Sequence, residues 1–344
     1  MDKLKVNMYA GGLDIEGQGV GANFFEQVNI VKKIPSLSVT VNGPHPKDYD
    51  INHFHTVNPS FFFKFRKNKI NVCYVHFIPD EDDGSLKMPK FAFAIYKAYV
   101  LRFYRKADET IVVNPYYIPA LEKIGIPRDR ITYIPNCVSA EKFHPLDAET
   151  KAKTKKEFGI EAGKFVVLGV GQTQTRKGVL DFAEVAKENP DMTFVWAGGF
   201  SFGKITSGYN EIKALMDNPP ANLKFLGIVK RERMNEIYNM ADVLFLPSYQ
   251  ELFPMTLLEC INVEIPFLVR DLDLYKDIFL SPYLVGHDNY EFSSMLRKLA
   301  KEGDFYAENK KKSLAIKEFY SESNVAKLWD EYYHRIYDKY PNKH

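Results

Sequence analysis

The sequence predicts an α/β protein with two doubly wound parallel sheets, and three observations carry that prediction. The chain has 344 residues, too many for one comfortable core and suited to two domains of roughly 150 residues each. Short β-branched runs alternate with longer helical patterns along the whole length, the rhythm of parallel strands wrapped by helices. The alternation comes as two series, separated by the polar, lysine-rich stretch 139–164, which has no strand character.

In the first series LKVNMYA, LSVTVNG, DINHFH, INVCYVHF, ETIVVN and ITYIPN read as strands. Helical patterns fall between them near 20–32, 58–67, 88–106 and 115–124. The second series contains KFVVLGVG, MTFVWAGG, LKFLGIV, VLFLPS and IPFLVR, ending near residue 270. Beyond residue 287 the pattern is helical to the end. Its last segment sets Val325, Leu328, Trp329, Tyr332, Tyr333 and Ile336 at helix-face spacing, so that helix needs a surface to cover. The expected division is 1–160, 161–320 and a terminal helix 321–344 that crosses back to the first domain.

With 45% hydrophobic and 26% charged residues, the chain is neither disordered nor fibrous. A formal net charge of +2 gives no field suited to nucleic acid. Cys73, Cys137 and Cys260 are scattered without zinc or disulfide spacing and read as buried thiols of a reducing cytosol. MDKLKVNMYAGG has no apolar stretch long enough for a signal peptide, and FAFAIYKAYVL, interrupted by Lys97, falls short of the roughly 20 apolar residues of a spanning helix.

Ligands of open parallel sheets bind beyond the carboxyl ends of the strands, and several suggestive groups follow strands here. After VLFLPS comes ELFPMTLLE, with Glu251 in the loop, Pro254 placed to open a helix, and Glu259 about a turn and a half inside it. A helix start aimed at a cleft suits phosphate, and flanking acids accept hydrogen bonds from sugar hydroxyls. The plainer alternative is a solvated loop acid and a helix-surface acid, although Leu257, Leu258, Cys260 and Ile261 surround Glu259 with apolar residues. GVGQTQTRKG, which places Arg176 and Lys177 where a helix would open, is either a pyrophosphate site or a solvated helix start. The loop with Gly11, Gly12, Gly17, Gly19 and Gly21 misses the dinucleotide spacing and is either a ligand loop or a flexible turn. His53, His55 and His76 end strands, where structural histidines also sit. Asp80 to Asp83 form an acidic loop with no histidine or cysteine spacing for a transition metal.

Taken together, the glycine loop, His76, IPNCVSAEKFHP, GVGQTQTRKG and the paired glutamates of ADVLFLPSYQELFPMTLLE resemble the retaining glycosyltransferases of family 4, over about residues 8–290. The resemblance implies the GT-B fold, two Rossmann-like lobes facing a cleft. It implies a UDP-sugar as co-substrate, with Glu251 on the donor sugar, Glu259 on the ribose, and Phe253, Pro254 and Met255 offering backbone near sugar and phosphate. Lys177 corresponds to the diphosphate lysine. Gly171 stands where the family carries an arginine, so Arg176 is expected to supply that charge. His76 corresponds to the histidine near the reacting face of the sugar, Gly19 to the mobile acceptor loop, and Gly227, Ile228 and Val229 to the segment reading the base. Hexosyl transfer with retention follows, with Lys177, Glu251 and His76 as the catalytic set and no metal or other cofactor expected.

PSFFFKFRKNK and KMPKFAFAIYKAYVLRFYRKA mix aromatic rings with cations and contain no acid. Phe61, Phe62, Lys64, Phe65, Arg66, Lys67, Lys69, Lys90, Lys97, Arg102 and Arg105 are therefore expected at an anionic membrane surface, or else the rings face a core and the cations face water. The chain is similar in this to bacterial synthases that add a hexose, galactose or glucose, to diacylglycerol or glucosyl-diacylglycerol, and the second, disaccharide-forming step is the one expected. A peripheral enzyme on the inner face of the cell membrane is expected. A family 4 transferase with a soluble acceptor and a non-catalytic membrane-binding module are the rival readings.

Overall fold

The central strands, such as Ile70–Val75, Val166–Val170 and Val243–Leu246, are buried throughout, as parallel strands covered on both faces must be, which is why their sequences are near-continuous apolar runs. A computed structural model describes residues 3–11, 19–76, 78–79, 89–200, 203, 206–279 and 282–343. The chain divides into two units, Met1–Cys137 with Tyr320–His344, and Val138–Phe319.

The first unit contains β1 (Leu4–Tyr9), α1 (Gly19–Lys32), β2 (Leu37–Val41), β3 (Ile51–Phe54), β4 (Ile70–Val75), α2 (Lys90–Lys106), β5 (Glu109–Val112), α3 (Ile118–Lys123) and β6 (Ile131–Tyr133). Its sheet is parallel, in the order β2-β1-β3-β4-β5-β6. The second unit contains α4 (Ala148–Glu157), β7 (Val166–Val170), α5 (Val179–Glu188), β8 (Thr193–Ala197), α6 (Tyr209–Asp217), β9 (Leu223–Gly227), α7 (Met234–Asn239), β10 (Val243–Leu246), α8 (Met255–Val263), β11 (Phe267–Arg270), α9 (Asp273–Lys276), β12 (Leu284–Gly286), α10 (Asn289–Lys301) and α11 (Gly303–Leu314). That sheet is also parallel, ordered β12-β11-β10-β7-β8-β9. Phe182, Phe194, Trp196, Phe245, Phe292 and Leu296 pack together in its core.

The last helix, α12 (Glu322–Lys339), belongs to the first unit and packs on α1. Its aromatic stripe is buried there: Trp329 lies 5.5 Å from the His53 ring, and the Tyr333 hydroxyl is 2.8 Å from His53 Nδ1. Burying each such ring contributes about 2–3 kcal/mol, enough to hold a helix that would fray alone.

Four expectations change. The stretch 139–164 belongs to the second unit, where α4 packs on α7, and the boundary falls after Cys137 rather than near residue 160. Residues 58–67 form no α-helix; a short 3-10 helix, Pro59–Phe63, is held by the Asn58 side chain accepting from the Ser60 backbone N–H at 2.9 Å. The helix after β7 opens at Val179, because Gly178, at φ 68, interrupts the chain after a 3-10 turn, Thr175–Lys177. Pro254 is the residue before α8 rather than its first.

Candidate active site

In the second sheet the strand order reverses at β7, which pairs with β10 on one side and β8 on the other. A crevice opens at such a switch point because the connections leave in opposite directions. The loops that follow β7 and β10 carry Lys177 and Glu251.

Gly178 brings them together. A Cβ at this position would stand 2.3 Å from the carbonyl oxygen of Pro247, so only glycine lets the start of α5 approach the end of β10 this closely. Lys177 Nζ then donates to Glu251 Oε1 at 2.5 Å, with Glu251 only 5% exposed. Burial by itself would raise the Glu251 carboxyl, but Lys177, Arg176 and the Ser248 hydroxyl outweigh it and hold the group below the usual carboxylate range. Burial lowers the Lys177 ammonium despite the opposing pull of Glu251. The two form a buried acid–base pair joined by a hydrogen bond.

Arg176 does not point away from this pair. Its Nε donates to Gln174 Oε1 at 2.9 Å and its Nη1 to the Gln250 carbonyl at 3.3 Å, which ties the two loops together and adds positive charge beside Glu251.

A residue that sequence reasoning missed braces the same loops. Arg270, at the end of β11, donates from Nε to the Pro247 carbonyl at 3.0 Å and from Nη1 to the His287 carbonyl at 2.9 Å. It also pairs with Asp181 of α5 at 3.3 Å and lies 4.1 Å from the centre of the Tyr249 ring. Arg270→Gln is expected to lower kcat/KM roughly tenfold while far-UV circular dichroism stays unchanged, because the loops lose a brace and the sheet does not.

Glu259 lies on α8, 2% exposed. Tyr238 donates to its Oε2 at 2.6 Å, and Arg231 forms an ion pair with its Oε1. Neither partner was legible in the sequence; Arg231 follows Gly227 by four residues, a weak signal. Phe253 and Pro254 are buried at the start of α8 and Met255 is half-buried. β9 ends in Gly227 at φ 67, a conformation that turns the backbone outward, and Ile228 beyond it is 53% exposed.

His76 follows β4 in the first unit and is buried with His53 and His55. Burial lowers His76 to about 4 and His53 to about 3, and pushes His55 well below its ordinary value, so all three rings are neutral at pH 7. Gly19 is the first residue of α1; Gly12, Gly17 and Asp80 to Asp83 lie outside the described residues. Among the described residues no cluster of histidine, cysteine and acidic side chains is placed to hold a metal ion.

The basic and aromatic segments divide. Phe61 is buried against Tyr9 and Phe54, and Phe65 stacks on Phe54 at 4.3 Å, so these two serve the core because they follow the turn inward. Arg66 caps the carbonyls of Phe63 and Phe65 at 2.8 and 3.0 Å, Lys69 lies 3.9 Å from Asp50, and Lys64 stands over the Tyr9 ring. Lys97 is half-buried, and the side chain of Lys90 lies outside the described residues. What remains outside is Phe63, Lys67, Phe91, Ile95, Arg102 and Arg105. Arg102 joins the two segments, 6.0 Å from the half-buried Phe62 ring. Lys106 sits 3.9 Å above that ring, its ammonium lowered by partial burial and by Arg102 and Arg66. No described helix is long and apolar enough to cross a membrane.

Residues 150–304 match the family model described as glycosyl transferases group 1, and residues 40–142 match glycosyltransferase family 4. The chain is 41% identical over 336 residues to the alpha-galactosylglucosyldiacylglycerol synthase of Streptococcus pneumoniae, covering 97% of this chain and 90% of that protein. It is 26% identical to the processive diacylglycerol alpha-glucosyltransferase of Acholeplasma laidlawii, over 87% of this chain and 89% of the relative. Among solved structures, Anabaena Alr3699/HepE in complex with UDP and glucose superposes with a TM-score of 0.76 at 14% identity, over 96% of this chain and 99% of the other. Sucrose-phosphate synthase from Thermosynechococcus elongatus gives 0.79 at 13% identity, covering 98% and 100%. With two parallel six-stranded sheets and these relatives, the chain belongs to the family 4 glycosyltransferases of GT-B fold.

Proposed function

We propose that this enzyme transfers a hexose from a UDP-sugar to glucosyl-diacylglycerol at a membrane surface, with retention at the anomeric carbon and without a metal. The observation that carries the donor half is the Lys177–Glu251 pair at the switch point, beside the start of α8. Breaking the bond between the anomeric carbon and the phosphate leaves negative charge on the diphosphate. Lys177, Arg176 and the amide ends of α5 and α8 supply the positive potential that stabilises it. Glu251 accepts hydrogen bonds from the sugar, Glu259 from the ribose, and the backbone at 227–229 meets the base. His76, which the family resemblance sets near the sugar, is buried and neutral, a hydrogen-bonding group rather than a charge. The new bond from the acceptor oxygen forms on the face the phosphate leaves, and the acceptor's proton passes to the departing phosphate oxygen.

The acceptor half is supported by the relatives named above and by the exposed patch of Phe63, Phe91 and Ile95 among Lys67, Arg102 and Arg105. Crowded cations such as Lys106 favour an anionic surface that relieves their repulsion. Purified protein with labelled UDP-galactose or UDP-glucose and liposomes containing diacylglycerol or its glucoside is expected to form a lipid-extractable product with the glucoside. Product formed equally on soluble glycans without liposomes would refute the lipid acceptor. Replacing Lys67, Arg102 and Arg105 with glutamine is expected to weaken binding to anionic liposomes about a hundredfold, at ~1 kcal/mol per cation. Unchanged sedimentation with liposomes would remove this patch from the proposal.

A further inference from the structure

We propose that Arg231 is a positioning residue for the nucleotide: it clamps the Glu259 carboxylate so that its remaining lone pairs are held for the ribose diol. This rests on the reading that Glu259 meets the ribose, and adds the residue that makes it able to do so.

Glu259 is 2% exposed, and an ionised carboxylate so far from water needs a counter-charge and fixed donors. Lys177 is engaged by Glu251. Arg231 is the cation that reaches Glu259 Oε1, while Tyr238 donates to Oε2 at 2.6 Å. The guanidinium lies over the Phe143 ring, 4.7 Å from its centre, and Phe143 meets Tyr238 nearly edge-on at 5.8 Å. Phe143, Arg231, Glu259 and Tyr238 thus form a closed set in which each side chain fixes the next. Burial and the adjacent Glu259 push the Tyr238 hydroxyl well up, so it stays a donor.

A carboxylate offers about four acceptor sites; Arg231 and Tyr238 each take one, and about two remain, the number a vicinal diol requires. Arg231 also opens the 3-10 turn Arg231–Arg233, one residue beyond the segment 227–229. One short stretch of chain therefore carries the backbone assigned to the base and the cation that orients the acid assigned to the ribose. Lysine would carry the charge but not the guanidinium that lies over the Phe143 ring.

The test is a cycle between a protein deletion and a ligand deletion. Calorimetry would measure binding of UDP and of 2′,3′-dideoxy-UDP to the wild type, Arg231→Ala, Arg231→Lys and Glu259→Gln, with thermal unfolding of each to establish that it folds. The wild type is expected to bind UDP about tenfold or more tightly than the dideoxy nucleotide, as loss of hydrogen bonds to a charged group requires. In R231A that preference collapses, because UDP weakens while the dideoxy nucleotide binds as before; R231K falls between and serves if R231A does not fold. If the Arg231 variants keep the full wild-type preference, the proposal is overturned while the ribose role of Glu259 survives. If the wild type itself does not distinguish the two nucleotides, the ribose reading fails first and takes the proposal with it.

Discussion

Glu251→Gln is expected to lower kcat/KM by about 10²–10³-fold, the range seen when one preorganised charged contact is removed from a transition state. The substitution does two things at once. On the reading proposed above it removes an acceptor for the sugar, and it leaves Lys177 buried without the carboxylate that supports its charge. The second effect has a signature in pH. Lys177 already loses its proton more readily than a free lysine, because burial outweighs Glu251; without Glu251 it loses the proton at still lower pH. The alkaline limb of the kcat/KM profile for UDP-sugar is therefore expected to move to lower pH in E251Q. Lys177→Met mirrors this, since the carboxyl of Glu251 then loses its main support against burial. Breaking one side of a buried pair also costs about 3–5 kcal/mol of stability, so the melting temperature must be read beside the kinetics. The double variant is expected to lose far less than the product of the two single losses, because each single change disables the same unit. Strictly multiplicative losses would mean that the two side chains act separately.

The second large effect is a loss of stability on mild acidification. In the native fold His53, His55 and His76 are neutral, with His53 lowered to about 3 and His76 to about 4, chiefly by burial. In the unfolded chain each would take a proton near its ordinary value of 6.5. Below that pH the unfolded state binds more protons than the native state, so stability is fully present above 6.5 and declines as the pH falls toward the folded values. Each such histidine contributes a slope of about 1.4 kcal/mol per pH unit within that window. Urea midpoints measured between pH 7.5 and 4.5 are expected to drop steeply, and His55→Phe to reduce the slope by about one proton's share. The choice of His55 follows from its contacts. His53 is tied to Tyr333 at 2.8 Å, whereas His55 meets Phe24, His53 and Tyr74 through its ring faces and edges. A flat urea midpoint across this range would show that the three rings are not held neutral together.

Much of the architecture was legible because it is written locally. Two series of β-branched runs, punctuated by glycine and proline, announce parallel sheets, and the spacing of Trp329, Tyr332, Tyr333 and Ile336 announces a helix with one face to cover. The three residues of β12 were too few to show a period, and α4, which is nearly all polar, reads as a linker until α7 is seen beneath it. Glu251, Glu259 and Lys177 could be singled out from the chain, but not which side chains meet, nor Arg231 and Tyr238 as partners of Glu259. Lys177 lies 74 residues from Glu251 and Arg231 lies 28 from Glu259, and no local pattern joins them. The aromatic segment at 59–65 shows the same limit: its composition suits a surface, yet Phe61 and Phe65 turn inward onto Phe54 while Phe63 stays 79% exposed.

By itself, then, the sequence determined the α/β class, the strands of both series, the terminal aromatic helix and the two acids that begin and end ELFPMTLLE. Tertiary structure alone decided that Lys177 meets Glu251, that Arg231 and Tyr238 hold Glu259, and that Arg270 braces the loops between them. The reason is physical. Hydrophobic period and turn chemistry act between residues a few places apart, whereas a buried charge takes whatever partner the sheet order and the close approach at Gly178 bring within a few ångströms.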